Sequence, residues 1–248
     1  MPVFALDEKI AFPDPRQARA DGLLAVGGDL APERLVLAYS LGIFPWYNEG
    51  EPILWWSPNP RLVLFPAELH LSRSLKKKIG KGAFSFTLDK AFGQVIRACA
   101  QPRPGRDEDT WITKDMIRAY EKLFELGFAH SVEVWHKGSL AGGLYGVGIG
   151  RYFAGESMFF TLPDASKAAL WVLCEFCLEN GLEFIDCQVK TRHLMALGAR
   201  LLQRDAYFDL VQGAAKGLFA QKSPSPRPWK LPSKVEKSCP SAASSATS

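Results

Sequence analysis

Between Ser131 and Met158 three short apolar stretches follow one another almost without pause: Ser131–His136, Leu140–Gly148 and Tyr152–Met158, the first two joined by Lys137-Gly138. Stretches this short, joined by a glycine turn, pair as antiparallel hairpins, so the middle of the chain must build a meander. The next segment changes period. Asp164–Glu179 sets Ala168, Ala169, Val172, Leu173 and Phe176 on one helical stripe, and Leu182–Cys187 then reads as a buried strand. Upstream, Arg61–Phe65 and Ala83–Leu88 read as strands. Lys90–Cys99, with Asp89 as cap, and Thr113–Leu126, with Thr113 as cap and Gly127 as stop, read as amphipathic helices. The order strand, two helices, meander, helix, strand predicts an α+β domain with one mixed sheet over residues 61–220.

The same order occurs in acetyltransferase-like (GNAT-like) domains, although a shared fold does not establish chemistry. Residues 1–60 are turn-rich and predict a small N-terminal α+β domain, in which only Pro32–Leu41 reads clearly as a helix, opened by proline and closed by Gly42. Three tryptophans fall there, Trp46, Trp55 and Trp56, which suits either an inter-domain seam or an aromatic binding wall; sequence alone favours the seam. Residues 221–248, rich in Pro, Ser and Lys, predict a disordered tail.

With 248 residues, 47% hydrophobic and 23% charged, the chain can bury a sizeable core. Its apolar runs, such as Leu140–Val147, fall far short of the roughly 20 residues that cross a bilayer, and the N-terminus shows no secretory signal, so a cytoplasmic protein without membrane contact is expected. Five scattered cysteines suit free thiols. Cys174 and Cys177 fall on an apolar helical run and read as a buried face, so no metal is assigned. A net charge of +4 permits an anionic partner, and the charge is concentrated in Ser72–Lys81, where Arg73, Lys76, Lys77, Lys78 and Lys81 occur without an acid. That stretch is either a solvated helix face or a set of phosphate-backbone contacts. Arg97, Arg103 and Arg106 could extend it.

The segment Gly155–Lys167, GESMFFTLPDASK, has one glycine, and Met158, Phe159 and Phe160 bring bulk where a pyrophosphate cradle needs bare backbone. Coenzyme A is therefore disfavoured. No dinucleotide, P-loop or nucleophile-elbow motif occurs, and no cofactor is expected. In Ile185-Asp186-Cys187-Gln188 the alternation of a strand puts Asp186 and Gln188 on one face. They are either a site pair or a strand end that satisfies its own backbone. Glu156 is either a site carboxylate or a buried acid with local partners. Of the histidines, His193 alone falls near these residues; His70, His130 and His136 read as exposed or capping. Trp111 is either a core residue or an indole able to stack on a base.

The motifs GLLAVGGDL, GIFPWY, ILWWSPNPR, HLSRSLKK, TWIT, AHSVEVW, GGLYGV, GESMFF, DASK, IDCQ and HLMALGA, in this order, closely resemble the leucyl/phenylalanyl-tRNA-protein transferase family from about Phe12 to Leu210. The resemblance implies a cytoplasmic, monomeric enzyme that moves leucine or phenylalanine, less readily methionine, from aminoacyl-tRNA to the N-terminal Arg or Lys of a protein. The product carries an N-end rule degradation signal. It also implies a small N-terminal domain before an acetyltransferase-like one, no cofactor, and an RNA ester as donor. By the same resemblance Trp46 and Trp111 stack on the terminal adenosine. Leu144, Phe153, Leu170 and Ile185 form the donor side-chain pocket, Asp186 and Gln188 are the catalytic pair, and Glu156 binds substrate. Leu144, Leu173 and Phe160 depart from the commoner residues of the family. An RNA-binding module without catalysis and a small-molecule N-acyltransferase are the competing readings.

Overall fold

The computed structural model describes residues 3–101, 111–216 and 229–238. Two sheets organise them. Near the N-terminus β1 (Phe4–Leu6), β2 (Leu23–Gly27), β3 (Phe44–Pro45) and β4 (Leu54–Trp56) form a four-stranded sheet in the order β1-β2-β4-β3, with α1 (Pro32–Ser40) packed beside it. The second sheet has seven strands: β5 (Arg61–Leu64), β6 (Ser85–Leu88), β7 (Ala129–His136), β8 (Ser139–Ile149), β9 (Tyr152–Phe160), β10 (Phe184–Gln188) and β11 (Arg200–Leu202). Its order is β11-β5-β10-β9-β8-β7-β6, and β9 and β10 pair parallel while the other neighbours are antiparallel. The fold is α+β on mixed sheets.

The meander forms where the glycine turn placed it. Lys137 and Gly138 both have positive φ, 50° and 79°, the pair of left-handed residues that a two-residue hairpin matched to strand twist requires. Gly146 admits a closer approach: a Cβ there would lie 2.1 Å from the Ala154 carbonyl oxygen and 2.6 Å from the Phe153 ring. The helices are α2 (Arg73–Gly80), α3 (Phe92–Cys99), α4 (Lys114–Glu125), α5 (Ala165–Asn180), α6 (Arg192–Ala196), α7 (Arg204–Ala215) and α8 (Ser233–Ser238). Ser72, Thr113 and Thr191 cap α2, α4 and α6 by accepting the backbone N–H three residues on.

Apolar side chains of α2 and α5 fill one face of the large sheet, with Val235 of α8 joining them. Those of α1, α3, α4 and α7 fill the other, where Leu35 and Tyr39 of the N-terminal part share one core with Tyr120, Val147 and Tyr152. The sequence division at residue 60 therefore separates the sheets and not the cores.

Four sequence expectations differ from the structure. Asp89 does not cap α3, which starts at Phe92 after Ala91; its carboxylate accepts from the Ser131 amide and meets His130 Nδ1, each at 2.8 Å, and so ties the start of α3 to β7. His130 is accordingly buried and neither exposed nor capping. The strand expected from Leu182 begins at Phe184. Residues 229–238, expected within a disordered tail, are packed, because Val235 and Trp229 carry apolar surface into the α5 face. Arg103 and Arg106 lie outside the described residues.

Candidate active site

The parallel ladder between β9 and β10 ends at Asp186 opposite Ala154. Beyond that point β9 continues through Gly155, Glu156, Ser157 and Met158 with no β10 partner, and the space left beside it is a cavity of about 370 Å³. Its apolar walls are Leu144 of β8, Phe153 of β9, Leu170 and Leu173 of α5, and Ile185 of β10; Trp46, Trp111, Phe160 and His193 also line it. The walls are almost fully buried, whereas Trp46 is 39% and Phe160 61% exposed, so an apolar recess opens toward an aromatic mouth. Burial, reinforced by Lys167, lowers the pKa of His193.

At the polar end lie Glu156 and Gln188, both lining the cavity. Gln188 Nε2 donates to Glu156 Oε1 at 2.8 Å. A carboxylate partner fixes the amide's orientation and leaves the Gln188 carbonyl oxygen as its acceptor. Glu156 also accepts from the Tyr39 hydroxyl at 2.7 Å and the Tyr120 hydroxyl at 3.0 Å, and those two hydroxyls are bonded to each other. Burial, opposed by the three hydrogen bonds and helped by the nearby Asp186, pushes the Glu156 pKa up to about 7 from 4.5. Burial and the same carboxyl hold the phenols of Tyr39 and Tyr120 well above their usual range.

Asp186 is differently engaged. It is the one residue of the expected set around the recess that does not line it. Its carboxylate receives Arg61 bidentately, Nε at 2.8 Å and Nη2 at 2.7 Å, with Tyr207 Oη at 2.9 Å. Both members of the pair are 1% exposed. Burial works against the Arg61 charge, but Asp186 together with Tyr207 and Tyr152 outweighs it and raises the guanidinium's pKa. The Arg61 guanidinium also lies over the rings of Phe44 and Tyr207, 4.7 Å from each centroid.

Asp186 Oδ1 accepts the backbone N–H of Gln188 at 2.9 Å, and Gln188 has a left-handed φ of 61°. Glu156 thus orients the side-chain amide, while Asp186 holds the backbone that carries it. Simple alternation fails here because the register against β5 shifts between Asp186 and Gln188.

On α2, Arg73, Lys76, Lys77 and, just past its end, Lys81 are exposed. Lys78 is partly committed: its ammonium donates to the Pro163 carbonyl at 2.7 Å and pairs with Asp164 at 3.6 Å. Sequence reasoning missed Arg61, Tyr39, Tyr120 and Tyr207. The two tyrosines that hold Glu156 sit within apolar helical stripes, where only a buried hydroxyl's need for a partner could have marked them.

A family model described as leucyl/phenylalanyl-tRNA protein transferase matches residues 63–212, and the model of that family's N-terminal domain matches residues 28–59. A leucyl/phenylalanyl-tRNA–protein transferase of Desulfatibacillum aliphaticivorans is 61% identical over 211 residues, 85% of this chain and 91% of that protein. One from Syntrophobacter fumaroxidans is 57% identical over 211 residues, 85% of this chain and 90% of that protein. Among solved structures, L-PGS from Bacillus licheniformis gives a TM-score of 0.42 at 10% identity, covering 78% of this chain and 73% of that one. A GCN5-related N-acetyltransferase-like protein from Streptococcus suis gives 0.35 at 16%, covering 58% and 57%. The chain is an aminoacyltransferase. It belongs to the leucyl/phenylalanyl-tRNA–protein transferase family.

Proposed function

We propose that the chain transfers leucine or phenylalanine, and methionine less readily, from aminoacyl-tRNA to the N-terminal Arg or Lys of acceptor proteins, whose new N-terminus then serves as a degradation signal. One observation carries this reading: an apolar recess of about 370 Å³ ends on a carboxamide held by a carboxyl group. Leu144, Phe153, Leu170 and Ile185 surround the donor's side chain. Trp46 and Trp111 stack on its terminal adenosine, and Arg73, Lys76, Lys77 and Lys81 meet the phosphate backbone without reading sequence, with Lys78 anchoring the helix.

The reaction is ester aminolysis. The acceptor's α-amine attacks the aminoacyl carbonyl, the C–N bond forms, the bond to the ribose oxygen breaks, and the proton lost by the amine ends on that oxygen. An α-amine titrates near 7.7–8.0, so a useful fraction is neutral near pH 7 and no strong base is needed. The Gln188 carbonyl accepts a hydrogen bond from the amine and aims its lone pair; positioning supplies most of the effect. Glu156 receives the acceptor's cationic side chain and gives up its proton as that cation arrives. Asp186 acts through the backbone of Gln188, as a positioning residue.

The test is transfer of labelled leucine from charged tRNA to a peptide that begins with lysine. Incorporation is expected there, and none into the same peptide N-acetylated or from labelled acetyl-coenzyme A. Folded protein that transfers none of leucine, phenylalanine or methionine from its tRNA would overturn the reading.

A further inference from the structure

The C-terminal segment carries an indole into the molecule. Trp229 is sandwiched between His130 of β7 and Phe176 of α5, with ring centroids 4.0 and 3.9 Å away and interplanar angles of 13° and 18°. A third ring, Phe153, lies 5.7 Å away, tilted by 52°. Phe153 is a wall of the cavity, and it also abuts Gly146, where a Cβ would come within 2.6 Å of it. The phenyl ring is therefore confined by a glycine of β8 and by an indole from outside the span, residues 28–212, that the family models match.

The segment that delivers this indole is fastened at several points. The Ser233 amide and hydroxyl donate to the two oxygens of Glu179 at 2.8 and 3.0 Å, and Lys234 Nζ donates to Glu175 Oε1 at 2.5 Å. Val235 is 1% exposed. Such fastening, with rings on both faces of the indole, fixes the position of Trp229 and hence the limit of Phe153's movement away from the cavity.

We propose that Trp229 is a positioning residue for donor selectivity: by backing Phe153, the docked C-terminal segment sets the depth of the recess and so the balance between leucyl and phenylalanyl donors. The inference rests on the reading that the recess seats the donor's side chain. Without the indole, Phe153 gains room to retreat, the recess deepens, and the longer phenylalanyl group gains relative to leucyl. A change of about one methylene in an apolar pocket alters discrimination roughly 10- to 200-fold.

The experiment compares kcat/KM for phenylalanyl- and leucyl-tRNA in the full-length enzyme and its Trp229→Ala variant. A rise in the phenylalanyl-to-leucyl ratio of about tenfold is expected, with the acceptor KM unchanged and the ratio largely restored in Trp229→Phe. Leu144→Trp, which narrows the recess without touching the segment, serves as control and is expected to lower the same ratio. If Trp229→Ala slows both donors equally, the residue is merely structural and the proposal is overturned. A ratio moved by Leu144→Trp alone overturns this inference and leaves the site reading intact; a ratio moved by neither overturns both. Should Trp229→Ala not fold, Trp229→Leu is read on the same ratio, and an unchanged ratio there also overturns the proposal.

Discussion

Replacing Asp186 by alanine tests the division of labour at β10. The carboxylate is 1% exposed and meets Arg61 through two hydrogen bonds of 2.8 and 2.7 Å, so its removal leaves a guanidinium buried with no counter-charge. Breaking such a pair by deleting one partner costs about 3–5 kcal/mol. Among the described residues one Arg61 nitrogen, Nη1, already lacks a hydrogen-bond partner, so the network has nothing to spare. For a chain of this length each kcal/mol moves the melting temperature by about 2–4 °C, which gives a fall of roughly 6–20 °C. The Gln188 amide N–H also loses its acceptor, so turnover drops along with stability. Differential scanning calorimetry of the Asp186→Ala variant reads the first effect. A variant that melts within 2 °C of wild type yet has lost turnover would refute the argument and make Asp186 a participant in the chemistry.

The meander was legible because Lys137-Gly138 leaves a backbone few choices. The apolar walls and the aromatic mouth came from motif resemblance, not from periodicity. Contacts between distant segments were not legible: Arg61 and Asp186 stand 125 residues apart, and nothing local marks either as the other's partner. Alternation along β10 put Asp186 and Gln188 on one face, whereas Gln188 lines the recess and Asp186 does not, since a register shift and a left-handed residue interrupt the strand there. Asp89 looked like a cap because it precedes an apolar run, but its carboxylate bonds to His130 and Ser131 on the neighbouring strand. Composition hid Trp229, a single indole among Pro, Ser and Lys that packs with Val235 against the α5 face.

A Glu156 pKa raised from 4.5 to about 7 favours the folded state fully below pH 4.5, and that contribution, roughly 3 kcal/mol, is lost as pH rises through 7. Denaturant melts between pH 4.5 and 7.5 should therefore slope downward in wild type and flatten in Glu156→Gln; parallel slopes would count against it. Acceptor affinity should rise through the same interval, since the ionised carboxylate binds the cation. Replacing Lys76, Lys77 and Lys81 by glutamine should weaken tRNA binding and flatten its dependence on log salt by about 2 to 3, at roughly 0.7–0.9 for each phosphate no longer neutralised; an unchanged slope would remove α2 from the RNA interface.

The most direct measurement is the single-turnover rate of leucine transfer to a lysine-initiated peptide by Gln188→Ala, taken together with the dissociation constant for leucyl-tRNA. A positioning amide at the mouth of an apolar recess predicts a rate lowered by about 100-fold or more, with donor affinity within twofold of wild type. A wild-type rate, or a loss accounted for wholly by weaker donor binding, would contradict it.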